Sequence, residues 1–168
     1  VSHQMDFEIV PGITAGMAAS AYTGIFLTDR KYSSQVMFIT GHEAADKTES
    51  SIDFKLLGDF QGTLVFYMAM TNLADICKKL IGHSKPHDTP VAVVENATFP
   101  GQRLLKSTLS KVADDCLRLN IKAPAIVIIG QTAAGNEEYE WFARKPLFGK
   151  TIITTRDDFG NFEFARQI

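Results

Sequence analysis

Four short runs of β-branched and aromatic residues, at 35–41, 63–68, 91–95 and 125–130, are apolar without interruption rather than at every second position. A strand that alternates has one wet face; a run that does not must be covered on both. The stretches between them change period. After Asn72 the residues Leu73, Ile76, Cys77, Leu80 and Ile81 recur at helical spacing until Gly82, with Asn72 and Asp75 placed as a capping residue and an acid three positions on. Ser110 can open a second helix that turns Val112, Ala113, Cys116 and Leu117 inward. A third follows Pro11-Gly12, with Thr14 as its cap and Ala15, Gly16, Ala18, Ala19 and Ala21 making it unusually slim. Strands separated by helices predict a layered α/β domain. One step departs from that rhythm. Residues 103–109 follow the strand at 91–95 after only a Pro100-Gly101 loop, too short for a crossover helix, so this pair is predicted antiparallel and the sheet mixed.

Composition excludes several classes. The chain has 168 residues, 45% of them apolar, with 17 Lys and Arg against 19 Asp and Glu. That is enough apolar residue for a core, and disorder, collagen and coiled coil are ruled out. Charged residues interrupt every apolar stretch before the ~18 residues a membrane span needs. A formal charge of −2 argues against a nucleic-acid surface. Two cysteines, Cys77 and Cys116, form neither a disulfide framework nor a zinc finger, which makes a reducing cytoplasm the simplest setting. The N-terminus lacks the basic and apolar regions of a signal peptide and leads into a strand-like run at 7–10; another strand-like run lies at 151–155. Both ends read as cut. Residues 42–53 are polar and charged and read as a mobile loop.

Most chemical motifs are absent. His83 and His87 are four apart, but Pro86 spoils the helix that would turn both toward a metal, so no metal site is expected. There is no Gly-x-Gly-x-x-Gly, the 130–135 segment lacks a phosphate-loop lysine, and no Gly-x-Ser-x-Gly elbow occurs. Asn96-Ala97-Thr98 has the form of a glycosylation triplet, without a secretory context. What remains are strand ends, beyond which open α/β sheets bind ligands. Four stand out, at 10–15, 66–68, 95–98 and 123–125; their small residues let a ligand approach the backbone, and Met68 offers a polarizable wall for an aromatic base. The same residues also fit a plain turn at Pro11-Gly12, a core Met68 and a loop Ala97, and composition alone favours that reading. Arg30 and Arg103 are either solvated surface charges or anion contacts.

The ordered segments 8–15 (Glu-Ile-Val-Pro-Gly-Ile-Thr-Ala), 21–30, 40–43 (Thr-Gly-His-Glu), 62–68 (ending Phe-Tyr-Met), 89–98 and 124–130 resemble the second half of the uroporphyrinogen-III C-methyltransferases, of the tetrapyrrole methylase family. The resemblance covers roughly residues 7–143 and implies the C-terminal mixed-sheet subdomain of that α/β fold, with flanking helices. It implies the cofactor S-adenosyl-L-methionine, leaving as S-adenosyl-L-homocysteine, and two C-methylations of uroporphyrinogen III to precorrin-2 for sirohaem or cobalamin. Carried over by residue, the cofactor contacts are Thr14, Ala15, Met68, Ala97 and, more weakly, Ala125. Ala97 stands where the family commonly has glycine. Arg30 matches the arginine of a Leu-Thr-His-Arg motif implied to bind or orient the tetrapyrrole, with Asp29 in place of the histidine. Arg103 is a second cationic candidate. A homodimer is implied, and no nucleic-acid or membrane partner.

The chemistry suits such modest residues, because the sulfonium already activates the methyl group and the reduced pyrrole carbon is electron-rich. The protein then supplies position and electrostatics. Eight substrate carboxylates require cations near the reacting site. The tail at 141–156 resembles the junction at which such methylases run into uroporphyrinogen-III synthase, dividing the chain into a methylase part at 1–143 and a junction with the first synthase strand at 144–168. The family's Gly-rich first half has no counterpart here, so the isolated chain is expected to bind cofactor weakly and not to turn over. Two alternatives remain: another tetrapyrrole or corrin methylase of the same fold, and a non-catalytic dimerisation or binding module.

Overall fold

The computed structural model of the chain describes residues 7–43, 50–153 and 155. Five strands form one mixed sheet: β1 (Val36–Thr40), β2 (Thr63–Tyr67), β3 (Pro90–Glu95), β4 (Arg103–Thr108) and β5 (Ala125–Ile129), in the order β1-β2-β5-β3-β4. β1 and β2 are parallel, and β5 is antiparallel to both β2 and β3. β3 and β4 pair antiparallel with Glu95 opposite Arg103, as the short Pro100-Gly101 loop predicts. The continuous apolar runs at β2, β3 and β5 are the central strands.

The two faces are covered unequally. On one, Leu64, Phe66, Val91, Val93, Val127 and Ile129 pack under α2 (Phe54–Asp59), α3 (Leu73–Gly82) and α4 (Val112–Arg118). Helix α3 buries Leu73, Ile76, Cys77 and Leu80, the stripe read from its periodicity, at about 2 kcal/mol for each large aliphatic side chain. Both cysteines are buried in this layer. On the other face, Val65, Ala92, Val94, Ile126 and Ile128 meet α1 (Ala15–Thr23), Ile25, Leu27 and Ala133. Helix α1 is slim because it lies close to the sheet: a Cβ on Gly16 would fall 2.7 Å from the Tyr67 hydroxyl and 2.9 Å from Val65 Cγ1.

Several local expectations are corrected. Asn72 does not cap α3 with its side chain; Nδ2 donates instead to the Gly41 carbonyl at 2.9 Å, tying the end of β1 to the start of α3. Ser110 does not cap α4, whose first residue follows Lys111. Helix α2 was not legible: it is six residues long, contains Gly58, and is capped by Asp53, whose carboxylate accepts the Leu56 N–H at 3.0 Å. That cap occupies the end of the polar stretch read as a loop, of which residues 44–49 lie outside the described residues. The runs at 7–10 and 151–155 form no strand among the described residues, where neither has a neighbouring strand to pair with; residue 154 of the second run is outside them.

Candidate cofactor site

All four segments singled out in the sequence send residues to one place, although 10–15 follows no strand and contributes only Ala15. At the carboxyl ends of β2 and β3 and the beginning of β5 lies an open cavity of about 550 Å³, within the ~300–1,000 Å³ range of small-molecule sites. Ala15 enters from α1, Tyr67 and Met68 from the end of β2, Asn96 and Ala97 from the end of β3, and Pro124 and Ala125 from the start of β5. Met68, Asn96 and Thr98 have positive φ angles of 51°, 48° and 74°. The left-handed conformation costs Met68 and Thr98 about 1–2 kcal/mol each, and Asn96 less. They turn the chain sharply at the strand ends, and Met68 and Phe99 are each left 63% exposed at the cavity.

Each wall is held by one polar side chain. The Tyr67 hydroxyl accepts the Gly16 N–H at 3.0 Å and is hydrogen-bonded to Thr14 Oγ1, fixing the first turn of α1 over the end of β2. Buried Gln102 accepts the Thr98 N–H at 2.8 Å and so holds the loop after β3. Glu95, 7% exposed, accepts the Lys122 N–H at 2.8 Å and pairs with Arg103 at 3.1 Å; Arg103 also donates to the carbonyls of Leu119 and Asn120. This cluster anchors the segment leading into Ala123, Pro124 and Ala125. On the β1 side, Gly41 donates to the Tyr67 carbonyl at 2.6 Å and receives Asn72, which fixes the backbone beside His42, another lining residue.

Ala15, Met68, Ala97 and Ala125 therefore share one cavity, and Thr14 reaches it through Tyr67. No lysine, arginine, aspartate or glutamate is among the lining residues. Such a wall does not repel a sulfonium, and its four alanines, Ala15, Ala97, Ala123 and Ala125, leave room that larger side chains would fill. Arg30 is not brought there. It lies exposed in the turn closed by the Asp29–Ser33 bridge, and Ser33 bonds to Thr63, at the opposite end of β2 from Tyr67. The Asp29 carboxylate is engaged locally, accepting the N–H groups of Lys31 at 2.8 Å and Tyr32 at 3.0 Å. Arg103 is committed to Glu95 and to two carbonyls, which makes it a structural cation rather than an anion contact. No group of His, Cys, Asp and Glu that could hold a metal occurs among the described residues, and no helix there is long and apolar enough to cross a membrane.

The sequence profile of the tetrapyrrole (corrin/porphyrin) methylases matches residues 1–113. The chain belongs to that family. Its relatives include a "porphyrin biosynthesis protein HemD" of Ruminiclostridium josui, 40% identical over 92% of this chain and 30% of that protein. An S-adenosyl-L-methionine-dependent uroporphyrinogen III methyltransferase of Methanosarcina barkeri is 43% identical over 77% of this chain and 51% of its own length. Among solved structures, uroporphyrin-III C-methyltransferase of Thermus thermophilus in complex with S-adenosyl homocysteine superposes with a TM-score of 0.63 at 25% identity, covering 78% of this chain and 53% of that one. The tetrapyrrole methylase chain described here thus spans about half the length of the Methanosarcina and Thermus proteins and under a third of the clostridial one. Sequence reasoning singled out 66–68 without giving Tyr67 a role of its own, and missed His42 and Phe99 as lining residues. The signal for Tyr67 was its place before Met68 at a strand end; for His42 it was the glycine before it, since a Cβ on Gly41 would meet the backbone of Ala69 at 2.8 Å.

Proposed function

We propose that this chain forms one wall of the cleft in which a uroporphyrinogen-III C-methyltransferase holds S-adenosyl-L-methionine. The observation that supports this reading most is the convergence of Ala15, Met68, Ala97 and Ala125, with Thr14 adjacent, on one uncharged cavity. When bound, the cofactor supplies an activated methyl group to an electron-rich pyrrole carbon. The chain's own contribution is positional. Ala15, Ala97 and Ala125 let a ligand lie against backbone, Met68 and Phe99 offer polarizable surface for a flat base, and the pinned loops hold these surfaces in register before binding, which lowers the ordering cost.

The substrate proposal is uroporphyrinogen III, converted to precorrin-2, with Arg30 as the contact to its carboxylates. Arg30 is exposed and has no ion-pair partner among the described residues, but within a single copy the cavity geometry gives that role no support. The homodimer and the cytoplasmic setting rest on the family resemblance. The division into a methylase part at 1–143 and a synthase junction at 144–168 rests on the resemblance of the tail at 141–156.

The test is a titration of the 168-residue chain with S-adenosyl-L-homocysteine, followed by amide chemical shifts. Saturable, weak binding is expected, with shifts concentrated at Ala15, Met68, Ala97 and Ala125. No shifts at millimolar ligand, or shifts away from these strand ends, would overturn the proposal. Labelled methyl transfer to uroporphyrinogen III by this chain alone would overturn the view that it is one wall of a larger cleft.

A further inference from the structure

Helix α1 begins without a cap of its own. Thr14 occupies the N-cap position in extended conformation, yet its hydroxyl makes no bond to the first turn and turns instead to Tyr67. The Tyr67 hydroxyl takes over the missing function from 51 residues away, accepting the Gly16 N–H at 3.0 Å. The N–H groups of Met17 and Ala18 both go to the Thr14 carbonyl, at 3.0 and 3.1 Å. Of the first-turn donors, Ala15 N–H alone is left without a partner within the described residues, and Ala15 is a cavity-lining residue. One phenol thus satisfies the donor behind Ala15 and the hydroxyl in front of it.

Sterics show that this approach is built in. A Cβ on Gly16 would lie 2.7 Å from the phenolic oxygen, 2.9 Å from Val65 Cγ1 and 3.0 Å from the Phe38 ring, so only glycine lets the hydroxyl reach the helix. The Tyr67 backbone is held as firmly: its carbonyl accepts the Gly41 N–H at 2.6 Å and its strand pairs with β1 in register Thr40 opposite Tyr67. From these contacts we infer that Tyr67 is a positioning residue for the cofactor wall, acting through Thr14 and Gly16 to fix Ala15 relative to Met68, its own neighbour. The inference rests on the proposed cofactor reading and adds to it a residue outside the carried-over set. The phenol does not touch the reacting atoms in this role; it sets the spacing between the helix end and the strand end, the two sides of the site that come from distant parts of the sequence.

The experiment compares the wild-type 168-residue chain with Tyr67→Phe, Thr14→Val and the double variant, using S-adenosyl-L-homocysteine as probe and amide shifts as readout. Tyr67→Phe is expected to weaken binding about tenfold and to speed hydrogen exchange at the Gly16 amide. Because both hydroxyls act as one unit, the double variant is expected to bind no more weakly than Tyr67→Phe, a non-additivity that loss of general stability does not produce. Wild-type affinity in Tyr67→Phe overturns the inference, as does strict additivity in the double variant. Should Tyr67→Phe fail to fold, exposed Thr14 can still be tested, and wild-type affinity together with unchanged Gly16 exchange in Thr14→Val overturns it equally. Absence of binding by the wild type overturns the proposed function and this inference with it, whereas wild-type binding that is indifferent to the phenol overturns the inference alone.

Discussion

Removing the Glu95 carboxylate should loosen one wall of the cavity, and the structure sets the size of the effect. Glu95→Ala removes the acceptor of the Lys122 N–H and the partner of Arg103. A hydrogen bond to a charged group is worth about 1.5–3 kcal/mol. The ion-pair component adds little, because the Arg103 side chain is 46% exposed and rehydrates when its partner leaves. The sum is about 2–3 kcal/mol, which for a domain of this size lowers the thermal midpoint by about 5–10 °C. Glu95→Gln keeps a carbonyl oxygen for the Lys122 N–H and gives up the charge and the acceptor that faces Arg103, whose half-exposed guanidinium can turn to water, so its loss should be less than half as large. Calorimetric melts at neutral pH measure both, and hydrogen exchange at the Lys122 amide reports the local opening directly. A midpoint for Glu95→Ala within about 1 °C of wild type, or equal losses for the two variants, would refute the view that this carboxylate holds the 119–125 segment.

Two further outcomes follow from packing and titration. Gly58→Ala gains up to about 1 kcal/mol of helix propensity, but its Cβ would stand 1.8 Å from the His83 carbonyl oxygen, a backbone atom, so the clash wins; denaturant titration should show a loss above about 2 kcal/mol, and a stabilised variant would contradict the packing of α2 on the end of α3. Burial pushes the Cys77 thiol up to about 12 and the Cys116 thiol up to about 11, with the neighbouring Cys116 adding to the first and Asp115 and Glu95 to the second. The folded state therefore keeps protons that the unfolded chain releases near pH 9, so the stability these thiols contribute is complete below that pH and is lost as pH rises toward 11 to 12. The slope approaches ~2.7 kcal/mol per pH unit for the two together. Urea midpoints at pH 8, 9 and 10 should fall more steeply for wild type than for the Cys77→Ala/Cys116→Ala double variant; parallel curves would contradict it.

β2, β3 and β5 were legible because central strands have no wet face, which leaves an unbroken apolar run as their mark; β1, read the same way as covered on both faces, is instead an edge strand with Phe38 and Thr40 exposed. Pairing between β3 and β4 was legible because a short loop permits only one direction. The candidate cavity was legible through strand ends and family motifs: the small residues at 15, 97 and 125 line it, although composition alone favours reading them as turn and loop. What escaped were interactions between distant residues. Asn72 has the spacing of a cap but finds the Gly41 carbonyl, and Thr14 has the chemistry of a cap but finds a tyrosine from β2. Local sequence states what a side chain can do, and the fold decides which partner arrives first. Arg30 and Arg103 show the same limit: nothing in their neighbours along the chain separates an exposed turn from a cation holding two carbonyls and a carboxylate.

The position of β5 has a consequence for how this chain is made. Among the described residues it is the last strand in chain order, yet it lies in the middle of the sheet, between β2 and β3. During synthesis the β1–β2 pair and the β3–β4 hairpin emerge as two separate pieces, each with an open edge facing the gap that β5 must fill. Until residues 125–129 leave the ribosome the sheet cannot close, and the pairing that closes it spans more than sixty residues of chain. A ribosome stalled just short of Ala125 would therefore release two sticky half-sheets rather than a slightly shortened protein.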